Sequence, residues 1–513
     1  MSERRLAVID LGSNSFRLVV FSWAENDGHG WWRRTDEIYE AVRIGAGLDA
    51  AGELQDEPME RALETIELYA HFCRATGLDD VRPVATSAIR EASNREAFLR
   101  AARKRSGLKI EVLSPEEEAR YGYLAAVNST TLTDGVALDL GGGSLQLTHV
   151  ADRCAQDARS WKLGAVRMTE RFLTGETVKR KQLKALRAHV RDELASAGWL
   201  TDAAADGASL AGIGGTVRNL AAAAELAAEL PSFGVQGFVL ERAALDELVE
   251  TLAETPSAER GAVPGIKPER GDLILAGAVV LQTTMEIGDF ETLEVTEAGL
   301  REGVFYSTLL AGEDPPLFED VRREAVCNLA AQYHANFTHI EHVARLSLRM
   351  WDELGEAGVH PCDPRERDLL WAAAMLHDIG TAVDYDDHHK HSRYLILNAS
   401  LPGHSTRETA LIGQLARYHR KGNPSLGVYA KLARDGDEDL LARGAALLRV
   451  AEQLERSRDQ AVHDATVSVE DGQVELHLLA DEDVSVARWG AERQRELFQR
   501  AFGKDLIVSS GLP

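Results

Sequence analysis

The chain has 513 residues, 44% hydrophobic and 27% charged, which is the composition of a globular protein of about two to four domains without long disordered stretches. Its net charge of −25 argues against nonspecific nucleic-acid binding and counts mildly against any polyanionic ligand, unless local donors and a cation hold it. The opening MSERRLAVIDLGSNS lacks a secretory pattern, no run of about 18 apolar residues appears, and Cys73, Cys154, Cys327 and Cys362 are scattered, so a cytoplasmic chain without a membrane span is expected.

In chain order, LAVIDL (6–11) reads as a buried strand entering a tight turn, and FRLVVFS (16–22) as its hairpin partner. Residues 57–76 have helical periodicity and stop at Gly77, a C′ residue. VRPVAT (81–86) is a strand, 93–106 a helix capped by Ser93 or Asn94, and KIEVLS (109–114) a strand. A helix follows from Pro115 to about Val127. The pattern then restarts: VALDL (136–140), a glycine turn, and LQLTHV (145–150), a weak internal repeat of 6–22 that points to two related α/β domains. SLAGIGGT (209–216) is a third glycine turn, before an Ala-rich helix over 217–230. Residues 318–460 are almost continuously helical, and ten of the sixteen histidines lie between His334 and His419. Strands return at 467–479, around an Asp471-Gly472 hairpin turn, and at 504–510, with a helix at about 489–502 between them.

Three segments carry chemistry. Asp10 leads Gly12, Ser13, Asn14 and Ser15, with Arg17 just beyond; glycine admits a close anion and the side chains add donors, although an ordinary hairpin reads the same way. Asp139 leads Gly141, Gly142, Gly143 and Ser144, a costly run of glycines after a buried strand. Two such turns facing each other would clamp a phosphate chain. Gly215 and Thr216 open a helix, whose N-terminus is an anion site; a structural turn is an equal reading.

These segments resemble the exopolyphosphatase / guanosine-pentaphosphate phosphohydrolase (Ppx/GppA) family. The resemblance runs through VIDLGSNSFRLVVF (8–21), VATSAIREASN (84–94), SPEEEARYGYLAAV (114–127), ALDLGGGSLQLTHV (137–150), GIGGTVRNLA (212–221), VPGIKPERGDLILAGAVVL (263–281) and GLREGVF (299–305), and on into the helical region. It implies an α/β fold of two actin-like, ribonuclease-H-like domains of the ASKHA superfold, residues 1–128 and 129–306. An all-α HD-like domain (307–460) and a small α+β domain (461–513) would follow.

The implied activity is release of terminal orthophosphate from inorganic polyphosphate or a (p)ppGpp-type nucleotide, by a chain that is dimeric in many relatives. Glu118 matches the general base and Asp139 the carboxylate holding Mg2+ or Mn2+, with Asp10 nearby. Arg17 and Arg90 match phosphate-gripping arginines. Gln146 stands where relatives carry a glutamate; it keeps an oxygen ligand but loses the charge. Without the resemblance, Glu118 is one of three glutamates favoured by a helix dipole, and Arg90 a surface arginine. The array of His342, His377, Asp378 and an acid such as Glu452 or Glu455 resembles the HD phosphohydrolases and implies a second metal site, or a bare scaffold. His388, His389, Lys390, His391, Arg393, Arg417, His419, Arg420 and Lys421 form a basic set, read equally as a path for the remote part of a polyphosphate or as a solvated patch. Two other readings remain open: a weakly active or non-catalytic polyphosphate or alarmone sensor, motivated by Gln146, and an ATP-using enzyme of the same superfold.

Overall fold

The computed structural model describes residues 3–24, 29–48, 52–205, 207–470 and 472–510. Its contacts group into two compact units, Met1–Val321 and Arg322–Pro513.

In the first unit, the apolar run before Asp10 forms β1 (Arg4–Leu11), and β2 (Phe16–Ala24) returns antiparallel to it, with Asp10 opposite Arg17. β3 (Trp31–Glu40) was not expected, because this charged and largely exposed edge strand lacks an apolar run. α1 (Asp56–Ala75) ends at Gly77 as expected. Gly77 has φ +64°, its N–H reaches Arg74 O, and Leu78 N–H reaches Cys73 O, satisfying the last carbonyls. β4 (Val81–Ala85) lies parallel to β1. A short helix, α2 (Ser87–Glu91), precedes α3 (Arg95–Ser106). Asn94 does sit at the start of α3, but its side chain bonds the backbone of Leu54 instead of capping. The expected strand at 109–114 shrinks to β5 (Glu111–Val112). α4 (Pro115–Val127) is held by a capping box: Ser114 Oγ accepts from Glu117 N–H, and the Glu117 carboxylate accepts from Ser114 N–H.

The second sheet contains β6 (Gly135–Leu140), β7 (Leu145–Ala151), β8 (Cys154–Trp161), β9 (Ser209–Ile213), β10 (Val239–Glu241) and β11 (Thr292–Val295). The strand order β3-β2-β1-β4-β5 of the first sheet recurs here as β8-β7-β6-β9-β11, with β10 added at the edge. Asp139 pairs opposite Gln146 as Asp10 does opposite Arg17, so the repeat extends to register. Helices α5 (Ala165–Phe172), α6 (Arg180–Leu194), α7 (Trp199–Ala205), α8 (Gly215–Ala227), α9 (Arg242–Glu254) and α10 (Gly271–Ile287) surround this sheet. α10 is apolar nearly all round and is accordingly buried.

Two helices cross between the halves of this unit. α4 buries Leu124 and Val127 against Ala137, Val150 and Ile213 of the second sheet. α11 (Leu300–Leu309) returns to the first sheet, where Phe305 stacks on Phe21 with centroids 4.4 Å apart. This exchange carries Glu118, at the start of α4, and Arg301, at the start of α11, to the line where the two sheets meet.

The second unit is helical through α12 (Val321–Gln332), α13 (Phe337–Glu356), α14 (Pro364–Leu376), α15 (His388–Leu397), α16 (Thr406–Tyr418) and α17 (Asp437–Leu454). β12 (Val462–Glu470), β13 (Gln473–Ala480) and β14 (Asp505–Ser510) form a three-stranded sheet. Its inward residues Val474, Leu476 and Val508 share one core with Trp351 and Leu448 of the helices. The helix expected at 489–502 is two short ones, α18 (Ser485–Glu492) and α19 (Arg495–Phe502). Of the expected hairpin dipeptide, Asp471 lies outside the described residues and Gly472 has φ +82°. No helix among the described residues is long and apolar enough to cross a membrane.

One buried histidine of this unit makes stability depend on pH. Burial, then the charge of Arg322, pushes His404 down from 6.5 to about 4. Between those values the unfolded chain binds a proton that the native chain refuses, so His404's contribution is present above pH 6.5 and is lost as the pH falls toward 4. The difference is about 3 kcal/mol at full effect. His404→Asn removes this component, so the drop in urea-unfolding stability from pH 7.5 to 4.5 should be smaller than in the wild type by about 2 kcal/mol. An identical drop in both proteins would contradict it.

Candidate active site

The turn of the first hairpin and the turn of the second face each other across a cavity of about 140 Å3. Gly12, Ser13, Asn14 and Ser15 line it on one side, and Gly141, Gly142, Gly143 and Ser144 on the other. The approach is close: a Cβ on Gly143 would stand 2.8 Å from Ser13 Oγ and 2.3 Å from Ser87 Oγ.

Both turns hand their carbonyls outward. Ser13 O accepts from Gly45 N–H and Asn14 O from Arg43 N–H, while Gly141 O and Gly142 O accept from Ala165 and Val166 N–H at the start of α5. Among the described residues, the N–H groups of Gly142 and Gly143 have no backbone acceptor, which leaves them for an anion. The third turn contributes Gly214 and Gly215 to the same cavity. Gly214 has φ +110°, and a Cβ there would lie 2.5 Å from Leu140 O, so only glycine fits.

Charged groups of both signs crowd the cavity. Asp10, Glu118 and Asp139 line it. Burial first, then the charges of Glu118 and Asp10, pushes Asp139 up to about 7. Asp10 is raised by burial, against the pull of Arg301 and Arg17. Glu118 is raised by burial, against the pull of Arg90. The same cavity is lined by Arg17, Arg218, Arg270 and Arg301. Burial and the charges of Arg301 and Arg17 lower Arg218 to about 10. Arg301 is buried, yet its Nε and Nη1 make no hydrogen bond; Asp10 Oδ2 lies 3.9 Å from Nε and Glu37 Oε1 3.6 Å from Nη1. A buried guanidinium with idle donors, beside arginines that repel it, is built for an anionic ligand. Carboxylates that cannot all ionise side by side fit a hard divalent cation with oxygen ligands.

The residues expected from sequence fall into distinct places. Arg17 lines the cavity, donates to Glu37 Oε1 at 2.7 Å and lies over the Tyr39 ring. Arg90 does not line it. Its Nη1 donates to Leu113 O and to Glu118 Oε2, each at 2.8 Å, so it holds the acid. Thr216 is also turned away; its methyl packs on Gly277 of α10. Gln146 lines the cavity and points its Nε2 at Ser144 Oγ, 2.8 Å away, so in this orientation it presents an amide donor there. Ser144 Oγ in turn lies 3.5 Å from Glu118 Oε1. Arg218, Arg270 and Arg301 received no role from sequence. Each stands within three residues of a glycine turn or helix start in the segments already singled out (GIGGTVRNLA, KPERGDL, GLREGVF), the only signal available.

Sequence profiles agree with this geometry. The profile of the Ppx/GppA phosphatase family matches residues 27–311, and that of Ppx/GppA phosphatase, domain III, matches residues 321–494. The chain belongs to the Ppx/GppA phosphatase family. It is 30% identical to the guanosine-5'-triphosphate,3'-diphosphate pyrophosphatase of Pseudoalteromonas translucida, over 98% of each chain. It is 27% identical to the protein of that name from Vibrio vulnificus, again over 98% of each. Among solved structures, the Aquifex aeolicus Ppx/GppA family member matches at 29% identity and TM-score 0.52, covering 61% of this chain and 99% of its own. An exopolyphosphatase from Cytophaga hutchinsonii, at 23% identity and TM-score 0.55, covers 60% of this chain and 98% of its own and shares the fold. The paired lobes of this Ppx/GppA phosphatase are thus actin-like.

In the helical unit of this Ppx/GppA phosphatase, the expected second site is regrouped. His377, Asp378 and Glu452 are brought together, but His342 is engaged elsewhere: Nε2 meets Val462 O at 2.9 Å and Nδ1 meets Arg345 Nη2 at 3.1 Å. His339, one turn earlier on α13, takes its place. The basic set at 388–421 is not a continuous surface path. His388, His389 and His419 are buried, and Lys390 and Lys421 both pair with Asp387.

Proposed function

We propose that the cleft of the first unit releases terminal orthophosphate from inorganic polyphosphate or guanosine pentaphosphate by in-line attack of water. The observation that carries this reading is the single cavity lined by both Asp10, Glu118 and Asp139 and Arg17, Arg218, Arg270 and Arg301. One like-charged set calls for a cation and the other for a polyanion, and both fit a metal-bound polyphosphate.

Asp139 and Asp10, with Gln146 beside them, are the residues to hold Mg2+ or Mn2+. When bound, the ion neutralises charge on the phosphate oxygens. Glu118 is the base: Oε2 is fixed by Arg90, and Oε1, 3.5 Å from Ser144 Oγ, is the oxygen to accept a proton from water. As the new O–P bond forms, the bond to the bridging oxygen breaks, and the arginines meet the charge left on the departing chain. Turn N–H groups hold the transferred phosphate. A second cavity of about 380 Å3 shares Arg17, Gly215, Arg218 and Arg270 with the first and adds Arg34 and Lys267. It would take the remainder of the substrate, phosphate chain or nucleoside. The four cysteines are free, consistent with action in the reducing cytoplasm.

The deciding assay is Mg2+-dependent phosphate release from long polyphosphate and from guanosine pentaphosphate. Release from neither, with turnover of ATP plus an acceptor, would favour the ATP-using reading. Gln146→Glu adds a carboxylate directly opposite Asp139. It should lower the Mg2+ concentration giving half-maximal rate by about tenfold, the equivalent of one well-placed charge. An unchanged Mg2+ titration would remove Gln146 from the metal's surroundings.

A further inference from the structure

The cleft of the first unit meets two further cavities, and it meets them through different residues. The larger, of about 380 Å3, shares Arg17, Gly215, Arg218 and Arg270 with the cleft. A smaller recess, of about 10 Å3, shares Ser13, Gly142 and Gly143 with the cleft and no residue with the larger cavity. The turn assigned to the transferred phosphate therefore has the cleft on one side and this recess on another.

Both halves of the unit build the recess. Gly45 and Ala88 come from the first half, and Val166, Arg167 and Glu170 of α5 from the second. The second half's part of the shared wall is bare backbone, because Gly142 and Gly143 carry no side chain. Arg167 is 7% exposed, so a buried cation stands beside the turn, where it would attract an anion. The volume is room for about one water molecule, so orthophosphate needs the halves to part slightly. Few contacts oppose that at the rim. Glu170 Oε1 accepts from Gly47 N–H at 3.4 Å, and Glu91 Oε2 meets Lys162 Nζ at 2.6 Å and Arg167 Nη2 at 3.2 Å. Ion pairs partly open to solvent are weak.

We propose that the recess is a rear exit for orthophosphate, through which the product leaves while the rest of the substrate stays in the larger cavity. The proposal rests on the hydrolase reading of the cleft. After cleavage, the departing chain near Arg218 and Arg270 blocks the way back past those residues. Orthophosphate leaving past Gly143 and Arg167 clears the turn, and the new chain end moves onto it without the chain dissociating. Repeated cleavage of one bound chain follows.

The test is pre-steady-state kinetics of the full-length protein on long-chain polyphosphate with Mg2+. Chain cleavage is read by acid quench, free orthophosphate by a fluorescent phosphate-binding sensor, and chain length by gel. The wild type should shorten each bound chain many times, leaving few intermediates, with orthophosphate appearing in step with cleavage. Two variants fill the recess from opposite walls. In Gly45→Ala the Cβ would lie 3.2 Å from Ser13 Cβ and 3.5 Å from Ala88 Cβ, and Gly45 is outside the left-handed region, so the backbone tolerates alanine. Ala88→Val is the second. In each, first-turnover cleavage should stay within about twofold while orthophosphate appears about tenfold later, as product release becomes limiting. Intermediate chain lengths should accumulate, because the chain must now leave first. Where only guanosine pentaphosphate is cleaved, the delay of orthophosphate alone is read. A wild type that releases its chain after every cut would overturn the proposal. So would folded variants in which orthophosphate still appears in step with cleavage. Absence of any cleavage by the wild type would instead sink the hydrolase reading, and the rear exit with it.

Discussion

Glu118→Gln should cut the rate of Mg2+-dependent phosphate release by about 10²–10⁴-fold, the range for loss of a positioned general base. The substitution is nearly isosteric. The amide oxygen still accepts from Arg90, so the contact that orients residue 118 on α4 survives. What disappears is the ability of Oε1 to take a proton. Stability should change little, because Glu118 is a buried acid whose charge burial already opposes and Arg90 sustains. The comparison therefore separates chemistry from folding: kcat falls, while the unfolding midpoint and the binding of a non-hydrolysable polyphosphate analogue stay near the wild type. Turnover within threefold of the wild type, a drop of under about 0.7 kcal/mol in transition-state stabilisation, would remove Glu118 as the base. Arg90 acts through Glu118, so Arg90→Lys should shift the pH–rate profile more than substrate affinity.

Gly164→Ala should be nearly as damaging from a residue that touches no substrate. A Cβ at 164 would lie 2.3 Å from Gly142 O and 2.3 Å from Gly143 C. Those are backbone atoms of the phosphate turn, and no rotamer change relieves such a contact. The backbone conformation at 164 is itself ordinary, with φ −65°, so the damage would come from contact alone. Either the turn moves away from α5, breaking the bonds from Ala165 and Val166 to Gly141 and Gly142, or α5 shifts. Overpacking of this kind costs about 1–3 kcal/mol in stability, and displacing a turn by about 1 Å can cost about 10²-fold in rate. Gly141→Ala is the control: its Cβ would sit at 3.5 Å from Ser144 O, an ordinary contact. Equal activity of the two variants would show that the turn is not held by close approach at Gly164.

The strands, helices and chemistry-bearing turns of the first unit were readable because each is signalled locally. An apolar run ending in Asp and Gly marks β1 and β6; Pro115 marks the start of α4, which Ser114 and Glu117 cap reciprocally in the fold. The repeat was visible because both halves use the same signal. β3 was not, since an edge strand with charged faces lacks the apolar run on which recognition depends. The partner of Arg90 was not legible for a different reason. A guanidinium serves phosphate and carboxylate equally well, and only the fold, by bringing α2 beside α4, shows that it is taken by Glu118.

By itself, then, the sequence determined where most of the first unit's elements lie, and which turns can hold phosphate, because these depend on neighbours a few positions apart. Tertiary structure alone decided which arginines complete the cleft and that His339, not His342, joins His377. Those choices rest on which side chains the fold brings together, a property of distant segments meeting in space and not of any stretch of chain.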